Sequence, residues 1–181
     1  MIEIIPYQAR WPEEFEQTKN LLDTAIGKQV LSIDHIGSTS VPLLPAKDII
    51  DIQVTVDNLD LPLEESLSPL GFEITKHTTD HTPPGMTLKP HDLEKRLYIK
   101  NKRRVHLHIR KKETFNQKYP LIFRDYLREN KVARDAYAEI KKQLANYFPE
   151  NVEAYYDIKE PVCDLIIANA LEWSNANKPL N

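Results

Sequence analysis

The stretch Ile50-Asp51-Ile52-Gln53-Val54-Thr55-Val56-Asp57 alternates apolar and polar residues without a break. Only an extended strand turns a period of two into one dry face and one wet face. Ile50, Ile52, Val54 and Val56 therefore belong to a core, and Asp51, Gln53, Thr55 and Asp57 are expected towards solvent. Arg103 to Arg110 repeats the pattern, with Val105, Leu107 and Ile109 alternating with Arg104, His106 and His108. Strands of this kind require a sheet with one face covered by apolar material.

The other segments supply that cover. Trp11-Pro12-Glu13-Glu14 reads as the start of a helix whose Phe15, Leu22 and Ile26 share a face before Gly27 ends it. Val30 to Ile36 and Phe72 to Ile74 read as strands, and Leu59 to Leu70 as a helix closed by Gly71. Leu97 to Lys100 is expected to pair with Arg103 to Arg110 across the turn Asn101-Lys102. The segment 77–91, with Pro83-Pro84-Gly85, is expected to be an exposed, mobile loop.

After Lys112 the spacing changes to three and four, through Phe115, Tyr119 and Phe123, then Ala136, Ile140 and Leu144, then Val162, Leu165 and Ile166. Three helices follow from it. Strands crowd the first two thirds and helices fill the last, which predicts an α+β fold. Its sheet should be mixed and largely antiparallel, with helices packed on it and a helical C-terminal part. One domain is expected over 1–181, divided into an α/β core at 1–112 and C-terminal helices at 113–181, because a chain of 181 residues suits one core.

Composition narrows the function. Lysine and arginine number 24 against 27 acids, so the net charge of −3 offers no global attraction to nucleic acid or an anionic membrane. No basic stripe with interleaved aromatics appears, which disfavours nucleic acid and leaves a small molecule or nucleotide as the expected partner. Cys163 is the only cysteine, too few for a disulfide or a cysteine-rich zinc site. No leader or membrane-length apolar run is visible, so a soluble cytoplasmic protein is expected; the oligomeric state is not written in the residues.

The chemistry concentrates in His35-Ile36-Gly37-Ser38-Thr39-Ser40-Val41-Pro42, then Lys47, then Asp51. Gly37 permits close backbone approach, and N–H groups with the Ser38 and Thr39 hydroxyls can cradle phosphate oxygens, although Gly-Ser-Thr-Ser is also ordinary turn material. Asp51 on the polar face is the expected catalytic residue, and His106 and His108 share a strand face two residues apart. Asp51 with these imidazoles is a mixed donor set that suits zinc, manganese or iron(II), whereas magnesium prefers oxygen. Lys47 and Arg104 can supply charge to phosphate, Arg104 because it shares parity with the histidines. Arg103 reads as solvated surface, Asp48 falls on the wrong strand face to assist Asp51, and His35 reads as a local hydrogen-bonding residue. Arg124 and Arg128, one helical turn apart, read as structural pins, and the helical aromatics as packing.

The strings HIGSTSVP, AKDIIDI, RRVHLHI and FRDYLREN, in this order and at these separations, resemble the GrpB family from about Ile4 to the final helix. That family is a branch of the nucleotidyltransferase superfold related to DNA polymerase beta. The resemblance implies a nucleotidyltransferase-type fold, with a divalent metal (magnesium, manganese or zinc) and a nucleoside triphosphate meeting at Asp51. Active members of the superfold use two acids spaced by one residue, and here the second position is Gln53, which offers a carbonyl oxygen to metal but no charge. Three readings follow: transfer of a nucleotidyl group to a small molecule or protein, a catalytically impaired nucleotide- or phosphometabolite-binding module, or a metal-dependent hydrolase using Asp51, His106 and His108.

Overall fold

The computed structural model describes residues 1–177. It is α+β, with a five-stranded sheet in the order β1-β2-β5-β4-β3. The strands are β1 (Ser32–Ile36), β2 (Ile50–Val56), β3 (Glu73–Ile74), β4 (Lys95–Lys100) and β5 (Val105–Lys111). Only β2 and β5 run parallel; the other neighbours are antiparallel, so the expected mixed, largely antiparallel sheet is what the chain forms. The helices are α1 (Arg10–Ile26), α2 (Glu64–Leu67), α3 (Phe115–Glu129), α4 (Lys131–Tyr147) and α5 (Val152–Ala176).

The dry face behaves as the alternation demands. Ile50, Ile52, Val54, Val56, Val105, Leu107 and Ile109 are buried in one cluster with Trp11, Phe15, Leu22 and Ile26 of α1. Burial of this kind contributes roughly 1.5–3 kcal/mol per large side chain, and here it fixes which way β2 and β5 face. Trp11 also donates its indole N–H to Asp48, 2.7 Å away, so the carboxylate just outside β2 is committed to α1. Arg10 and Arg103 donate to the same Asp48 carboxylate, which makes Arg103 a half-buried link between the β4–β5 turn and α1. The solvated role expected for Arg103 is thereby corrected.

The opposite face is only partly wet. Its upper half lies under α3, where Gln53 and Arg110 are buried and Gln53 donates to the Gln117 carbonyl at 2.9 Å. Alternation in β2 tells which residues share a face; it carries no information on whether a distant helix covers that face. Most of the segment 77–91 is exposed, as expected, but Asp80 and His81 tie it to the rest of the fold. Asp80 is ion-paired with Lys95 and Arg110, and His81 contacts Asp164 on α5 at 2.8 Å.

Several boundaries shift. The β4–β5 turn spans residues 101–104, two more than expected, and α2 is a single turn extended by a 3-10 turn at Ser68–Leu70. The buried stripe of α4 is Tyr137, Ala138, Lys141 and Leu144, while Ala136 is exposed. Asn130 ends α3 and its side chain accepts from the Ala133 N–H to cap α4, and Asn151 caps α5 in the same way. No helix among the described residues is long and apolar enough to cross a membrane.

The turn after β1 joins the two halves of the chain. Arg128 donates to the Ser40 carbonyl at 2.8 Å and Arg124 to the His35 carbonyl at 3.0 Å, so α3 is pinned to this turn, as the four-residue spacing suggested. Gly37 sits at φ +70°, in the left-handed region, and a Cβ there would lie 2.9 Å from Asp51 Cβ and Cγ and closer still to a carboxylate oxygen. Two independent demands therefore call for glycine. Gly37→Ala should lose about 1–3 kcal/mol of stability through backbone strain alone, and more through displacement of Asp51, read as a lower urea midpoint.

His35 stacks on Phe15 with ring centroids 4.7 Å apart and bonds Thr39 at 3.1 Å. Burial lowers its pKa from 6.5 to about 4, helped by Arg128 and Arg124 and opposed by Asp51. A depressed histidine pKa means that the unfolded chain binds the proton first, so stability falls as pH drops from about 6.5 towards 4. Denaturation midpoints measured across that window should fall less steeply in His35→Phe, which keeps the stack and removes the titrating ring.

Candidate functional site

The parallel register sets Asp51 of β2 beside His106 of β5, and Gln53 beside His108. Asp51 Oδ1 lies 3.4 Å from His106 Nδ1 and 3.8 Å from His108 Nε2. One ligand atom from each of the three residues falls within 4.8 Å of the other two. Donors around a tetrahedral ion at about 2.0–2.2 Å are separated by roughly 3.3 Å, so the spacing suits a small divalent cation. Burial alone would raise the Asp51 pKa, but hydrogen bonds from His106 and His108 overcome it and hold the carboxyl well below the usual range. Asp51 is therefore ionised, as a carboxylate ligand must be, and is half-buried at the cavity.

His108 is kept neutral. Burial and the neighbouring Arg110 guanidinium lower its pKa to about 4, against the raising effect of Asp51. Arg110 Nη2 lies 3.4 Å from His108 Nδ1, which places the ring proton on Nε2, facing Asp51. Coordination through Nε2 thus requires that proton to move to Nδ1 and the guanidinium nitrogen to turn aside. His106 carries no such constraint.

Gln53 is not available as a ligand. Its carbonyl oxygen accepts from Arg110 at 2.9 Å and its amide donates into α3, so the side chain is spent on joining the sheet to that helix. Arg104 is likewise corrected: it is exposed in the four-residue turn before β5, where strand parity no longer applies, and it does not line the cavity. Gly37 does provide close approach, but the group that approaches is Asp51. Thr39 is buried and its hydroxyl donates to the Ile49 carbonyl at 3.0 Å, so its proton is not free for phosphate.

Asp51, His106 and His108 form the floor of a cavity of about 450 Å³, a size typical of small-ligand sites. Ser38 and Lys47 reach it from the segment between β1 and β2. Lys141 of α4, Lys159 of α5 and three tyrosines, Tyr137, Tyr155 and Tyr156, make the opposite wall. Lys141 is buried, with 2% of its surface exposed, and donates to Ser38 Oγ at 2.9 Å and the Pro45 carbonyl at 2.6 Å. Burial lowers its pKa to about 7, Lys159 and Lys47 add to the effect, and Cys163 and Asp51 oppose it. Lys47 lies 4.2 Å and 4.3 Å above the Tyr155 and Tyr156 rings and 3.1 Å from the Tyr156 hydroxyl.

The helical wall was not foreseen from the residues. Its signal was present in Tyr137, Lys141 and Leu144, spaced four and three apart, where a lysine occupies an otherwise apolar stripe. Lysine is almost never fully buried without a reason. The tyrosines, assigned to packing, have both roles, since Tyr137 and Tyr155 are buried and also line the cavity.

Known proteins are similar to this chain. UPF0157 protein YqkA of Bacillus subtilis is 32% identical over 183 residues, covering 99% of this chain and 50% of that protein. A protein named dephospho-CoA kinase, from Mycobacterium bovis, is 32% identical over 191 residues, covering 96% of this chain and 47% of that one. The chain thus spans about half the length of these relatives. The crystal structure of the conserved protein GrpB from Enterococcus faecalis superposes with a TM-score of 0.80 at 30% identity, covering 95% of this chain and 99% of that one. The profile of the GrpB protein family matches residues 1–169, and with sheet, helices and sequence in agreement the chain belongs to the GrpB family.

Proposed function

We propose that the protein is a divalent-metal-dependent nucleotidyltransferase-like enzyme that acts on a small molecule or protein with a nucleoside triphosphate. The observation that carries this reading is one ionised carboxylate and two imidazoles converging on the floor of a cavity lined by cationic and hydroxyl groups. The match to about half the length of proteins named dephospho-CoA kinase supports a role connected with nucleotides.

Asp51, His106 and His108 would hold the metal, with zinc or manganese favoured by the two nitrogen donors. When bound, such an ion withdraws charge from a phosphoryl oxygen and aligns the group being transferred. Ser38 accepts the Lys141 hydrogen bond, which leaves its own proton for a phosphoryl oxygen. Lys47, held over two tyrosine rings, contributes positive charge as negative charge develops. Gln53, locked to Arg110, contributes to the rigidity of β2 and β5 and is no ligand.

A hydrolase is the second reading, favoured by the two-histidine, one-carboxylate donor set, with water replacing the acceptor. Incubation with α-labelled nucleoside triphosphate and zinc or manganese separates the two: label on an acceptor supports transfer, and free nucleoside monophosphate supports hydrolysis. Tight binding without either product would overturn both and leave a binding module.

Asp51→Ala should abolish turnover and weaken divalent metal binding by at least about tenfold, and His106→Ala should weaken it comparably, both read by calorimetry. Gln53→Ala should leave metal affinity within about twofold. It should lose about 1–3 kcal/mol of stability, because Arg110 and the Gln117 carbonyl each lose a buried partner.

A further inference from the structure

The cavity has an excess of unpaired positive charge on its helical side. Lys47, Lys141 and Lys159 all line it, yet among the described residues none of the three forms an ion pair with a carboxylate. Lys141 bonds only neutral oxygens, those of Ser38 and Pro45; Lys47 meets the Tyr156 hydroxyl, and Lys159 the Cys163 sulfur at 4.0 Å. None of the carboxylates that share the cavity lies within ion-pair distance of these lysines. Asp51 is engaged by His106 and His108, Asp80 by Lys95 and Arg110, and Glu160 by His81 at 3.2 Å.

An unpaired buried ammonium is costly, and a chain that keeps one at a cavity wall gains nothing from it in the folded state alone. The depressed pKa of Lys141 records that cost. A bound anion removes it by supplying the missing counter-charge, and three ammonium groups around a volume of about 450 Å³ suit an anion with several charges spread over more than one centre. Ser38 adds a hydroxyl at the same point.

We propose that Lys141 and Lys159, together with Lys47 and Ser38, form a polyphosphate-binding site that takes a chain of two or three phosphoryl groups and works without a metal ion. It lies on the α4–α5 wall, opposite Asp51, and places the phosphate tail of a nucleotide, or an inorganic polyphosphate, against the C-terminal helices. The site does not depend on the metal or the transfer reaction proposed above.

The test is calorimetric titration of the full chain, in the presence of a chelator, with inorganic tripolyphosphate, with a nucleoside triphosphate and with orthophosphate. Tripolyphosphate should bind the wild type and orthophosphate at least about tenfold more weakly. Lys141→Met and Lys159→Met should each weaken tripolyphosphate binding by at least about tenfold, whereas Lys131→Met, at an exposed surface pair, should leave it unchanged. Tripolyphosphate should also raise the melting temperature of the wild type but not of Lys141→Met. Equal binding by a nucleoside triphosphate assigns the site to a nucleotide tail, and markedly weaker binding assigns it to inorganic polyphosphate.

His106→Ala separates the two proposals, since it should impair metal binding and leave metal-free tripolyphosphate binding intact. No heat of binding at millimolar tripolyphosphate would overturn the proposal. So would undiminished binding by Lys159→Met, which is partly exposed and therefore informative even if Lys141→Met fails to fold.

Discussion

The donor cluster at the floor of the site follows from the one parallel pairing in the sheet. Because β2 and β5 run together, Asp51 meets His106 and Gln53 meets His108 at the same level, with all four side chains on one face. A slip of one residue would send the imidazoles into the α1 core. The apolar residues between them prevent that slip: Ile50, Ile52, Val54, Val105, Leu107 and Ile109 are fully or almost fully buried beneath α1. The hydrophobic face thus determines the position of polar groups it never touches.

The polar face is divided by α3 into two environments with opposite demands. At one end, Gln53, Arg110, Asp80 and Asn116 satisfy one another and the backbone beneath the helix. At the other, Asp51 and His106 stay partly open to the cavity. The contrast explains how a glutamine two residues from an acid can be structural while the acid is not. Its amide matches a guanidinium on one side and a helix carbonyl on the other, a geometry a carboxylate would satisfy only in part.

Local patterning made the sheet, α1 and the Asp51–His106–His108 face legible in the residues, because period-two alternation reports directly on which side chains share a surface. The glycine before Ser38 was legible as a point of close approach, though not the identity of the approaching group. Burial of Gln53, the contact of His81 with α5 and the lysine wall were hidden for one reason. Each depends on where a helix far along the chain comes to rest, and no spacing within a short window encodes that placement. Arg104 misled because its parity was counted from β5 into a turn, where alternation stops.

The floor of the cavity comes from strands complete by residue 111, whereas Lys141 and Lys159 arrive on α4 and α5. During synthesis the histidines and Asp51 therefore have all their covalent neighbours well before the facing ammonium groups have left the ribosome. Enclosure of the donor cluster is thus a late acquisition in the life of each molecule, gained when α5 docks.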